Sequence, residues 1–274
     1  MKSVILTQEQ KLKEAKKLTL MDDKFMSVAL DDIAACQHVL RILTGKKDLK
    51  VLHVKTQYTI SKTASHESRL DVLAEDSQHK LYNIEIQRSD TIDHARRTRF
   101  HCAMIDGEYL AKGVSYDKLP DVYIFYISET DIWGGDRTVY EVQKIMDGPM
   151  LDNSYDDGLH VIYVNTAVDD GSETAKLMNY FENANPDDTS QGELSKRVHF
   201  LKSEAKGGKV MSEAAKNLVY SGEVTGIAKS VMAVMDSLNL TVENAMRTLK
   251  IPESDWADYI EIIDYIKENP EEFE

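Results

Sequence analysis

Cysteine is scarce: Cys36 and Cys102 are the only two in 274 residues. They offer no disulfide framework and lack the spacing of a zinc site, so both read as reduced, buried thiols. That usage fits a reducing, cytoplasmic compartment. Long apolar runs are also missing. No stretch approaches the roughly 18 apolar residues of a membrane helix. The longest candidate, Val122 to Ile127, suits only a core strand. The opening residues (MKSVILTQEQ) turn polar too soon for the apolar segment of a signal peptide. Neither a Gly-x-Gly-x-x-Gly nor a Gly-x-x-x-x-Gly-Lys-Ser/Thr loop occurs, which weakens any reading as an enzyme of small phosphorylated substrates. An excess of positive charge is missing too. The formal net charge is −14, which argues against a general nucleic-acid coat protein. The charge is unevenly spread. Residues 1–120 carry 20 basic and 17 acidic side chains, and the remainder 13 and 30. Were the chain to act on a polyanion, it could present the first part and keep the acidic remainder away. The plainer reading is an acidic chain whose charge serves solubility.

The chain is long enough for one large domain or two small ones. Its most informative stretch is residues 69–87 (RLDVLAEDSQHKLYNIEIQ). Leu70 to Ala74 is apolar apart from Asp71. Residues 75–80 form a polar turn. From Leu81 the pattern alternates, with Tyr82, Ile84 and Ile86 on one face and Asn83, Glu85 and Gln87 on the other. A carboxylate in an apolar strand is costly unless it is paired, hydrogen-bonded or metal-bound. Two converging carboxylates with an adjacent amide suit a hard divalent cation such as Mg²⁺, with Mn²⁺ as the alternative ion. The plainer reading is a half-exposed hairpin whose polar face meets water.

Around this hairpin the pattern alternates between helices and strands. Residues 1–18, with Lys11, Lys13, Lys16 and Lys17, read as an arm or short helix. A helical apolar pattern then runs from Phe25 through Val39 to Leu43, with Asp22 or Asp23 as cap and Gly45 as stop. Strand pattern follows over residues 49–60, and a polar connector holds His66 and Glu67. After Gln87 comes a helix to about Lys112, with Ser89 or Asp90 as cap. It bears Arg96, Arg97, Arg99 and His101, the densest basic cluster in the chain. Arginine forks suit phosphate oxygens and position a nucleic acid without reading it. A solvated face pairing with Asp93 is the plain alternative. Strands are expected at 121–128, 139–146 and 159–165, a turn at 133–136 and a helix at 172–182. Residues 183–192 break the pattern, and residues 193–274 read as helical, including a segment at 212–220. The helices around residues 249–252 have helix-turn-helix spacing. Glu253, Asp255, Asp258, Glu261 and Asp264 would repel phosphate there, so a structural hairpin or a partner-binding surface is favoured. Met232, Met235 and Met246 read as core fillers.

Helices around a mixed sheet imply an α/β core. Residues 69–87 resemble the active-site hairpin of the PD-(D/E)XK nuclease superfamily. They are most similar to its branch of nuclease family transposases and recombination-promoting nucleases. Residues 20–26 (LMDDKFM), 54–60 (VKTQYTI) and 118–125 (KLPDVYIF) look similar to the same branch. The similarity spans about residues 18–205. The superfamily's proline before the acid is Leu70 here, and its lysine is Gln87. The resemblance implies a restriction-endonuclease-like mixed sheet flanked by helices, a core over residues 19–185 and an all-helical extension over 193–274. It further implies a Mg²⁺-dependent DNA endonuclease, linked to transposition or recombination. Asp71, Glu85 and the backbone carbonyl of Ile86 would hold the metal, with Gln87 orienting water. Arg96, Arg97 and Arg99 would hold the DNA backbone. In such enzymes an acid from the first helix reaches the metal, for which Asp23, Asp31 and Asp32 are candidates and Asp23 the first. A homodimer would suit cutting of both strands. The alternative is a catalytically weak module that binds nucleic acid or a protein partner, with the acidic helical region as that partner's surface.

Overall fold

A computed structural model describes residues 17–61, 67–88, 93–145, 155–204, 206–211, 223–253 and 256–268. The expected cap at Ser89 or Asp90, His66, Asp255, the helix at 212–220 and most of the N-terminal arm lie outside these residues. The described residues fall into two compact units, one within Ala15–Gly208 and one from Lys209 onward.

The first unit is built on six strands: β1 (Val51–Ile60), β2 (Ser68–Asp76), β3 (Leu81–Gln87), β4 (Val122–Ser128), β5 (Val139–Glu141) and β6 (Leu159–Asn165). Their order in the sheet is β1-β2-β3-β4-β6-β5. The β1–β2–β3 meander is antiparallel, β3, β4 and β6 run parallel, and β5 closes the edge antiparallel to β6. The parallel strands are the chain's most continuous apolar runs. They are covered on both faces, as parallel strands must be.

The β2–β3 turn is held by one side chain. Asp76 Oδ1 accepts from the amides of Gln78 (2.8 Å) and Lys80 (3.0 Å), and Oδ2 accepts from the Tyr82 hydroxyl (2.8 Å). The expected helix at 23–43 is two helices, α1 (Asp23–Leu30) and α2 (Ile33–Thr44). The apolar pattern runs through the join, but Asp32 is extended and its carboxylate accepts from the Ala35 amide at 3.0 Å, restarting the helix. Gly45 ends α2 in the left-handed region, at φ 68°.

Between β3 and β4 lies α3 (His94–Tyr109). It packs on the sheet through Cys102, Met104 and Ile105, against Leu73, Leu81, Val122 and Ile124. Helices α1 and α2 pack on β1, and α1 also on β2; α4 (Glu173–Asn183) and α5 (Gly192–Ser203) pack on α2. Helix α5 follows the breaker at 183–192, yet it belongs to the sheet unit, whose limit falls after Gly208. Ser172 caps α4 through the Ala175 amide at 3.1 Å.

The second unit holds α6 (Glu223–Leu238), α7 (Val242–Thr248) and α8 (Trp256–Glu268). Ala228, Val231, Ala245, Met246, Ile263 and Ile266 form its core, and Met232 and Met235 pack against it. Among the described residues, no helix is long and apolar enough to cross a membrane.

Candidate functional site

The β2–β3 ladder pairs Val72 with Ile84. One step further, the same register sets Asp71 opposite Glu85. Side chains replace the ladder there. The Ile86 amide donates to Asp71 Oδ2 at 3.0 Å, and the Asp71 amide donates to Glu85 Oε1 at 3.3 Å. Each carboxylate is thus tied to the partner strand's backbone. The residue facing Asp71 across β1 is Gln57, which sits at φ 51° and buries an amide nitrogen without a hydrogen-bond partner.

Glu85 is 2 % exposed, and its Oε2 is buried with no hydrogen-bond partner. Burial and then the Glu85 carboxylate push the Asp71 carboxyl up to about 7. The Ile86 amide and Arg97 pull against this rise, and Asp23 adds to it. Two acids, one carrying an orphaned oxygen, are costly together in a low-dielectric pocket. A hard divalent cation removes that cost, and the donors are carboxylate oxygens. The residues therefore fit such an ion. Among the described residues, no group of three or more His, Cys, Asp or Glu gathers around one point. The side chains that could hold a cation here are the two acids.

Helix α3 lies over β3 in register. Arg97 Nη1 donates to Gln87 Oε1 at 3.0 Å, and one turn on, His101 Nδ1 lies 3.2 Å from Glu85 Oε1. Four helical residues rise about 6 Å and two strand residues about 6.6 Å, so the two periods match. His101 is 5 % exposed, and its Nδ1 is within reach of Glu85 but off the line of a good hydrogen bond. The third position on β3 is Asn83. It is fully buried between Leu73 and Ile124 in the register, and neither of its amide atoms has a hydrogen-bond partner.

The other residues singled out in the sequence divide. Arg96 and Arg99 are exposed, while Arg97 alone of the three turns to Gln87. Asp23 is exposed in the first turn of α1, near enough to act on Asp71. Asp31 is exposed at the end of α1, and Asp32 is spent as the cap of α2. Asp22 precedes α1, but its carboxylate does not cap it. One oxygen accepts from the Thr19 amide at 2.7 Å, and the other meets Arg88 Nη1 at 2.8 Å. Arg88 also reaches Glu129 at 2.9 Å, so it clamps the end of β3 to α1 and to the end of β4. Glu67 is exposed and takes the Ser61 hydroxyl at 3.1 Å. Sequence reasoning missed His101 as a partner of Glu85. The available signal was the four-residue spacing of Arg97 and His101 against the two-residue spacing of Glu85 and Gln87.

A mixed sheet of this order, with an acid pair where β2 and β3 part, is a restriction-endonuclease-like α/β fold. A family model described as PD-(D/E)XK nuclease family transposase matches residues 37–217. The chain belongs to this family. The match takes in the hairpin, α3 and the rest of the sheet, and Asp23 lies before it. No curated protein and no solved structure matches the chain.

Proposed function

We infer that the protein is a metal-dependent DNA endonuclease that hydrolyses phosphodiester bonds at the Asp71–Glu85 centre. One observation carries this reading: half-buried Asp71 faces buried Glu85, which keeps an oxygen with no protein partner. Asp71 and Glu85 would hold the cation, and the Ile86 carbonyl would complete the protein's share. When bound, Mg²⁺ or Mn²⁺ supplies positive charge for the phosphate and lowers the pKa of an attacking water. Gln87 orients that water. Arg97, bonded to Gln87 at 3.0 Å, brings the positive charge that an amide in the lysine's place lacks. Arg96 and Arg99 offer exposed charges to the DNA backbone. Asp23 serves as an accessory acid. The role in the cell is movement or recombination of DNA.

Titration calorimetry with Mn²⁺ tests the centre without relying on cleavage. Wild type should bind at one site per chain, and Asp71→Ala or Glu85→Ala should lose it. Undiminished binding by both variants would contradict the assignment. Gln87 favours a second reading, a DNA- or protein-binding module with a weakened centre. That reading predicts DNA binding without metal-dependent cleavage, and it gives the acidic helical unit a partner protein.

A further inference from the structure

A row of four aromatic rings leads away from Glu85. The parallel register runs Glu85, Tyr126, Tyr163 across β3, β4 and β6. Tyr126 and Tyr163 are buried, with ring centroids 5.6 Å apart. His94, at the start of α3, meets Tyr163 edge-on at 5.6 Å. Trp133 meets both His94 (5.0 Å) and Tyr163 (5.2 Å) edge-on, yet stays 48 % exposed.

The turn that carries Trp133 is built to hold it still. The Asp131 carboxylate accepts from the amides of Trp133 (3.3 Å), Gly134 (3.1 Å) and Asp136 (2.9 Å) and from the Tyr140 hydroxyl (2.8 Å). The Tyr140 oxygen in turn accepts from the amides of Gly135 (2.9 Å) and Arg137 (3.2 Å). Those bonds hold the Asp131 carboxyl below the usual carboxylate range, against the desolvation that alone would raise it. Core packing would bury an indole. A braced turn that instead leaves one half-exposed, at the far end of the row that starts at Glu85, offers ring surface to a partner. Two arginines near it suit the phosphates that flank a base. Arg97 lies one turn along α3 from His94, and Arg137 stacks on the Tyr140 ring at 5.8 Å. Of the acids around it, Glu129 pairs with Arg88, Asp131 keeps its charge while bracing the turn, and Asp93 and Asp136 are exposed.

We propose that Trp133, braced by His94 and Tyr163, is a stacking platform for an unpaired nucleobase beside the cleavage centre. This rests on the nuclease reading and names its substrate class: DNA with unstacked nucleotides at the cut, such as a single strand, a flap or a frayed end. Bases inside a duplex have both faces covered by neighbours and cannot use the platform.

The test is anisotropy with fluorescein-labelled (dT)12 and a 12-base-pair duplex, on the full chain in EDTA. Trp133→Leu keeps apolar volume but cannot stack, and Trp133→Tyr can. Melting curves verify that both variants fold. Trp133→Leu should weaken (dT)12 binding roughly five- to a hundred-fold, the range of one base–aromatic stack. Duplex binding should change less than twofold, and Trp133→Tyr should recover most of the loss. Titration with (dT)12 should also quench a component of tryptophan emission that is absent from both variants. Unchanged (dT)12 binding by the leucine variant, or equal loss on both probes, overturns the platform and leaves the nuclease reading intact. No binding of either probe by wild type overturns both.

Discussion

Replacing Asp71 by asparagine should make the metal-free protein more stable at alkaline pH. Asp71 has an ordinary value of 3.8 and is pushed to about 7 by burial and by Glu85. The folded state therefore holds the proton more tightly than the unfolded state. Its contribution to stability is full below pH ~4, is lost as pH rises through ~7, and is constant above that. Three pKa units correspond to a ceiling of about 4 kcal/mol. Asp71 is only partly buried, and solvent screening brings the expected gain to about 1–3 kcal/mol. Asparagine keeps an oxygen for the Ile86 amide, which donates at 3.0 Å, so the variant sheds the charge and keeps the bond. For a unit of this size each kcal/mol moves Tm by about 2–4 °C. Melting curves in EDTA should show the variant several degrees above wild type at pH 8, with the gap closing towards pH 4. Added Mn²⁺ should raise wild type and leave the variant unmoved. A variant that melts lower at pH 8, or a gap independent of pH, would refute the reasoning.

Three further outcomes are expected. Arg97→Gln should lower kcat about ten- to a thousand-fold, the range for a lost charge or donor at a transition state. Adding Gln87→Lys to it should restore most of the rate, and a double variant as slow as the single one would show that the cation's position is not at Gln87. His101→Ala should weaken Mn²⁺ binding about 10- to 100-fold, as for other residues that orient a ligand. His101→Asn, which keeps a donor near Glu85, should recover part of this, and calorimetry reads both. Asn83→Leu should raise unfolding stability by about 1 kcal/mol in urea titrations, since it removes an unsatisfied buried amide. A loss of stability would mean that the amide is satisfied in solution, by water for instance.

The hairpin was legible because its signal is local. A period of two puts Glu85 and Gln87 on one face, and the turn residues sit between two apolar runs. The buried parallel strands were legible for the same reason. The break between α1 and α2 was not, because apolar spacing continues across it and only the Asp32 cap interrupts the backbone. Nor was the place of α5, which depends on packing against α2 from far along the chain. Within the site, the pairing of His101 with Glu85 and the separation of Arg97 from Arg96 and Arg99 follow from how a helix lies on a strand. Residue spacing alone does not give that placement. Residues 133–136 read as a turn, and the turn is there, but the rings that meet Trp133 come from α3 and β6. The Asp131 side chain that fixes the turn carries no signal distinguishing it from any other loop acid.

Cleavage of supercoiled plasmid by the purified protein, beside Asp71→Asn and Glu85→Gln, tests the central claim most directly. Nicking that needs Mg²⁺ or Mn²⁺, stops with EDTA and is absent from both variants is the predicted result. Folded wild-type protein that binds DNA but leaves the plasmid intact with either metal, or variants that cut as fast as wild type, would contradict it.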